Sequence, residues 1–188
     1  MPARAGRYAV CMRIPILLVC AFSLAFAQQT RHEITNTSAG DRKPNNPAVP
    51  DVYAVSSQFE RVVIFRFKYQ TDLLAGLQAM IKQNHIQNAV ILSGAGSVIS
   101  YQVHQVSNRE FPSKNMFEQD PTAPADLISM NGYVMNGHIH AHMTLANPEK
   151  AIGGHLEPGT KVFTFAIVTV GVLPDALDLT KLDDKSYR

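Results

Sequence analysis

Gly137-His138-Ile139-His140-Ala141-His142-Met143-Thr144-Leu145, followed after a short loop by Gly153-Gly154-His155-Leu156, holds four of the seven histidines in the chain. From 138 to 143 imidazoles and apolar residues alternate. Successive side chains of a β-strand point to opposite faces, so the histidines share one face and Ile139, Ala141, Met143 and Leu145 share the other. The spacing predicts a strand with its back in a core and its front offering nitrogen ligands.

Residues two apart on a strand are about 6.6 Å apart, and an imidazole nitrogen sits about 2.0–2.1 Å from zinc. A neighbouring pair can therefore share one ion. The outer pair, His138 and His142, is about 13 Å apart and cannot do so without a sharp bend. A further ligand has to come from another segment. His155 is the candidate, because Gly153-Gly154 permits positive φ and a close approach to the strand before it. Half-exposed surface histidines or a hydrogen-bonded network are the plainer alternatives. Three alternating histidines with a fourth after a Gly-Gly step favour a divalent metal, with zinc as the leading expectation.

At 188 residues the chain has room for one domain with a proper core. Ile14 to Ala27 is uncharged and mostly apolar, is preceded by Arg4, Arg7 and Arg13, and closes on Ala25-Phe26-Ala27. That pattern reads as a signal peptide over residues 1–27, cleaved before Gln28, in an exported (periplasmic or extracellular) protein. The run is too short for a stable membrane span, although an uncleaved anchor is the alternative. Residues 1–27 hold three of the 17 Lys and Arg and none of the 15 Asp and Glu, which leaves a formal charge of −1 from residue 28 onward. Cys11 and Cys20 also fall in this leader, so any metal in the remainder must be held by nitrogen and oxygen.

Residues 28–50 are polar, rich in Pro and Asn, and read as a flexible linker in which His32 is solvated. The domain spans residues 51–175, and residues 176–188 form a charged tail. Arg61–Lys68 is β-branched and aromatic, hence a strand. Thr71 reads as an N-cap with Asp72 in the first turn. Leu73, Leu74, Leu77, Met80 and Ile81 then form a helical stripe that ends near Asn84 and His85. Ala89–Leu92 is a buried strand and Ser93-Gly94-Ala95-Gly96-Ser97 a tight glycine turn. Val98–Val106 is another strand, on whose polar face His104 reads as structural or solvated. Residues 107–125 read as a long loop, and strands follow at about 126–135, 137–145 and 161–173. One principal packed helix against a mainly antiparallel sheet makes an α+β domain.

Four pieces of this order resemble the PPC ("plants and prokaryotes conserved") family. Asp72-Leu73 is similar to the end of its Gly-Glu-Asp-Leu helix start, and Ser93-Gly94-Ala95-Gly96-Ser97-Val98 to its Ser-Gly-x-Gly-x-Val segment. Asp126-Leu127-Ile128-Ser129-Met130-Asn131-Gly132 resembles Glu-Leu-Leu-Ser-Leu-x-Gly. His140-Ala141-His142-Met143-Thr144-Leu145 with Gly153-Gly154-His155-Leu156 looks like His-x-His-x-x-Leu … Gly-Gly-His-Leu. The resemblance covers about residues 55 to 173. It implies a homotrimer and, as in many prokaryotic members, a three-histidine metal site, here His140, His142 and His155. His138 adds a fourth imidazole on the same face, as a further ligand or a proton shuttle. Plant members join this domain to AT-hook segments and so are called DNA-binding, but no Arg-Gly-Arg-Pro-like hook occurs here.

The leading expectation is an exported metal-site protein that binds or acts on a small molecule. An open position on a dication polarises a carbonyl or lowers the pKa of a bound water to about 7. Thr144, Glu157 and Asp126 are the nearby groups able to orient a ligand or a ligating imidazole. Nucleic-acid binding is the alternative, with a chain at −1 as a poor electrostatic match to phosphates. A trimeric scaffold without turnover is the third reading.

Overall fold

The structure is a computed structural model that describes residues 29–34 and 42–182. The expected signal peptide and the last residues of the expected tail lie outside the described residues. Among the described residues, eight strands and one helix follow in the order β1 (Thr30–Ile34), β2 (Arg61–Lys68), α1 (Leu73–Gln83), β3 (Asn88–Val106), β4 (Asn115–Asp120), β5 (Ala125–Met135), β6 (His138–Ala146), β7 (Ala151–Leu156) and β8 (Lys161–Leu173). A short 3-10 turn follows at Thr180–Leu182. No helix among the described residues is long and apolar enough to cross a membrane.

All the strands form one antiparallel sheet organised by β3. The first half of β3 lies between β5 and β8, and its second half pairs with β4 and β7. Because β5 pairs with β6, β6 with β7, and β7 again with β3, the sheet closes on itself. The enclosed face carries Ile91, Val98, Tyr101 and Val103 from β3, with Met130, Val134, Ala141, Met143, Leu145 and Leu156 from its partners, all essentially buried. Leu73, Leu77 and Ile81 of α1 join the same core alongside Phe65 and Phe67 of β2. Alternation on β6 therefore emerges as the sequence predicts, with Ala141, Met143 and Leu145 inside and the histidines outside.

Several local expectations are corrected. Asp72, not Thr71, caps the helix: its Oδ1 accepts from Ala75 N at 2.9 Å and its Oδ2 from Gly159 N at 2.7 Å. The backbone of Thr71 is spent elsewhere, on Lys68 and Val162. Residues 93–97 are not a turn but the middle of β3, which absorbs irregularities at three points against β8. A side chain at Gly96 would overlap the carbonyl of Phe165 on that neighbour, so close packing and not chain reversal calls for glycine.

The expected loop over 107–125 contains β4, and the expected linker contains β1, which pairs with it. Polar side chains disguise both strands, because Glu118 of β4 is a buried carboxylate. Arg31 Nε donates to it at 2.7 Å, Lys150 Nζ at 3.2 Å and Tyr101 Oη at 3.3 Å. A buried carboxylate persists only with such compensation.

Gly153 and Gly154 are strand residues of β7. Positive φ, expected for them, is absent among the described glycines at these positions, but the close approach is real. A Cβ on Gly154 would overlap the carbonyl oxygen of His104. Gly154→Ala is therefore expected to lower stability by about 1–3 kcal/mol, the usual cost of overpacking a rigid contact. Urea unfolding of the variant checks this, and an unchanged midpoint would mean that β7 is not held against β3 as described.

Candidate metal centre

A single row of register partners crosses six strands. His32 lies opposite Phe117, Phe117 opposite His104, His104 opposite His155, His155 opposite His142, and His142 opposite Asn131. Directly opposed residues of antiparallel strands have their Cβ atoms about 4.5–5.5 Å apart, so planar rings in such a row must touch. His104 stacks between Phe117, at 4.9 Å between centroids, and His155, at 4.6 Å. His32 stacks on the Phe117 ring at 5.4 Å, so it is part of the row and not a free linker residue.

His140 joins from one step along β6. Its ring centroid is 5.2 Å from that of His142 and 5.1 Å from that of His155, and His142 is 5.5 Å from His155. His155 stands nearly perpendicular to both, at 89° and 85°. The Nε2 atoms of His140 and His142 are 3.2 Å apart. Two nitrogens bound tetrahedrally at 2.0–2.1 Å from one ion sit about 3.3 Å apart. The pair thus has the spacing a shared cation demands.

Glu157 closes the arrangement from the other side. Its Oε1 lies 2.6 Å from His104 Nδ1 and 3.1 Å from His155 Nδ1. A carboxylate can only accept, so both Nδ1 atoms donate, and in the neutral form each ring keeps its lone pair at Nε2. Burial is the largest single influence on Glu157 and opposes its charge. The hydrogen bonds from His104 and His155, with their charge, outweigh it and bring the carboxyl down to about 2. Burial, then the neighbouring His140, His155 and His104, holds the His142 imidazolium below its ordinary value, which favours the neutral ligating form.

Among the described residues, His104, His155 and Glu157 also form a group able to hold a metal, with one ligand atom of each within 4.8 Å of the others. His104, expected to be structural or solvated, is thus a member of the cluster. Its outward-facing position on β3 was readable from alternation, but its partner across the strands was not. His138 is exposed opposite Met135 at the β5–β6 hairpin, outside the row. Thr144 is on the outer face one step beyond His142, opposite Gly153. Asp126 is not brought to the centre. It pairs with Ala146, about 17 Å along β5 from the partner of His142, and lines a separate cavity of about 240 Å³ with Ser97, Pro148 and Phe163.

Residues 54–174 match the family model described as the Plants and Prokaryotes Conserved (PCC) domain. No curated protein matches the chain. A plant- and prokaryote-conserved (PPC) protein of Pyrococcus horikoshii is 24% identical, with TM-score 0.55 over 65% of this chain and 85% of that one. A metal-containing protein of Archaeoglobus fulgidus is 23% identical, with TM-score 0.53 over 65% and 86%. A protein of Bacteroides thetaiotaomicron whose name proposes DNA binding is 17% identical, with TM-score 0.50 over 62% and 83%. At these identities the likeness shows the fold.

The depressed carboxyl of Glu157 fixes a pH dependence. A group whose folded pKa lies below its unfolded value adds stability above the unfolded value, here 4.5, and loses it as pH falls toward about 2. In chelator, the stability advantage of the wild type over Glu157→Gln is expected to shrink as pH falls from about 4.5 toward 2. Thermal melts across that range check it; a gap that does not narrow would overturn the assignment.

Proposed function

We propose, for a chain that belongs to the Plants and Prokaryotes Conserved domain family, an exported protein that holds a divalent cation and binds or acts on a small molecule. His140, His142 and His155 are the ligands, and zinc is the cation that a set of imidazoles without thiolate suits. The observation that carries this reading is the 3.2 Å between the Nε2 atoms of His140 and His142, beside a His155 whose Nε2 is left free by Glu157. Glu157 fixes the tautomer and orientation of His155, the service a carboxylate gives a ligating imidazole. A dication held by neutral ligands keeps its full charge and supplies Lewis acidity to a bound carbonyl or water.

The chain's own residues then decide what is bound. Asn131 and Tyr133 stand directly opposite His142 and His140 on β5. With Thr144 they give an open face of amide and hydroxyl groups suited to a small polar ligand. Export is supported by the charged start and apolar run ending at Ala27. Assembly as a homotrimer is supported by an apolar outer face, where Val62 and Ile64 of β2 and Phe163, Phe165 and Ile167 of β8 are exposed together. Water-exposed patches of this kind are normally covered by a partner.

Duplex binding is the second reading, favoured by the name of the Bacteroides fold relative. Affinity for a duplex rests on cations that neutralise phosphates, and residues 28–188 carry a formal charge of −1.

Replacing His140 or His142 by Ala is expected to weaken the tightest zinc site at least about 100-fold, read by competition with a chromogenic chelator. Unchanged affinity would sink the three-imidazole assignment. Salt-sensitive duplex binding by the wild type at physiological ionic strength would favour the second reading instead.

A further inference from the structure

His155 has two ring nitrogens, and the fold gives each a different company. With Nδ1 engaged by Glu157, Nε2 is the nitrogen left for His140 and His142, whose ring centroids lie 5.1 and 5.5 Å from that of His155 and whose own Nε2 atoms are 3.2 Å apart. On the Nδ1 side stand Glu157 Oε1, at 3.1 Å, and beyond it His104 Nδ1, at 2.6 Å from the same oxygen. We infer that the row holds two divalent-cation sites sharing His155, the second being a two-histidine, one-carboxylate set of His104, His155 and Glu157. The inference rests on the three-imidazole reading of the first site.

The second set is built, not incidental. His104 and His155 are register partners on β3 and β7, so the backbone ladder spaces them. Glu157 follows directly after β7, where its N–H donates to Gln102 O at 3.2 Å and its carbonyl accepts from Thr160 Oγ1 at 3.4 Å. Both imidazoles and the carboxylate are partly buried, with side-chain exposures of 22%, 23% and 18%, so the donors are ordered yet reachable. Two ligand atoms at right angles, about 2.1 Å from an ion, are about 3.0 Å apart. The His155–Glu157 separation already meets that spacing, and the His104–Glu157 pair meets it by opening a few tenths of an ångström. Two nitrogens and one carboxylate oxygen suit a first-row dication such as iron(II) or copper(II) and leave positions open.

Protons must balance. His104 presents Nδ1 to the ion by moving its proton to Nε2, with no net change. His155, ligating at both nitrogens, gives up its remaining ring proton to solvent and bridges as an imidazolate. Filling the second site therefore releases one proton per chain and makes it the weaker of the two.

The test is metal titration of the purified full chain after chelator stripping. Zinc is used for stoichiometry by elemental analysis and calorimetry, and copper(II) for electron paramagnetic resonance. The wild type is expected to take two ions per chain, the weaker with release of one proton. His104→Ala and Glu157→Gln are each expected to take one. Fully loaded copper protein is expected to lose signal through coupling across the bridge, and His104→Ala to keep the signal of an isolated ion. Saturation at one tight ion, lost in His140→Ala but unaffected by His104→Ala, would overturn the shared site and leave the three-imidazole centre standing. A second ion that survives in His104→Ala would also overturn it. Failure to bind any ion would remove both readings together.

Discussion

The register between β3, β7 and β6 is the constraint on which the rest of this molecule depends. Antiparallel pairing places opposed side chains within ring-contact distance, and closure of the sheet on β3 brings His104, His155 and His142 into one line. A slip of one residue in β7 would send His155 inward and Leu156 to the surface, because the side-chain period of a strand is two. The core forbids that slip, since Leu156 is fully buried among Val103 and its neighbours. The same apolar packing that stabilises the domain therefore sets the geometry of its donor groups. Gly154 belongs to this constraint as well, because only a residue without a side chain lets β7 lie so close to the His104 carbonyl.

Clustering four imidazoles and one carboxylate on a sheet face raises an electrostatic problem that the arrangement itself resolves. Several imidazolium ions at ring-contact distances would repel, and His142 favours its neutral form through burial first and then through this repulsion. Glu157 is the acidic partner of two of these rings, and it stays ionised despite partial burial because both donate to it. Neutral rings are the state a cation requires.

A second buried carboxylate, Glu118, shows the same logic used for architecture. It is shut away on β4 and matched by Arg31 from β1 and Lys150 from the turn between β6 and β7. Through it a strand outside the family-matched residues is tied to the closed sheet. That strand brings His32 onto Phe117, which lengthens the aromatic row beyond the donor cluster.

Local pattern determined a good deal on its own. Period-two alternation determined which face of β6 carries histidine, the 3.6 periodicity determined α1, and the β-branched runs determined β2 and β8. Each of these depends on contacts within one segment or against an undifferentiated core. The readings of residues 93–97 and 107–125, and the positive φ expected at 153–154, failed for a common reason. Glycine and polar residues signal a turn or loop when water surrounds them, but here a neighbouring backbone or a compensated buried charge makes the same residues strand. The role of His104 was decided only by the tertiary structure, because it depends on which of several possible strands lies beside β3 and in what register. That choice is made by long-range packing, to which no stretch of sequence near His104 refers.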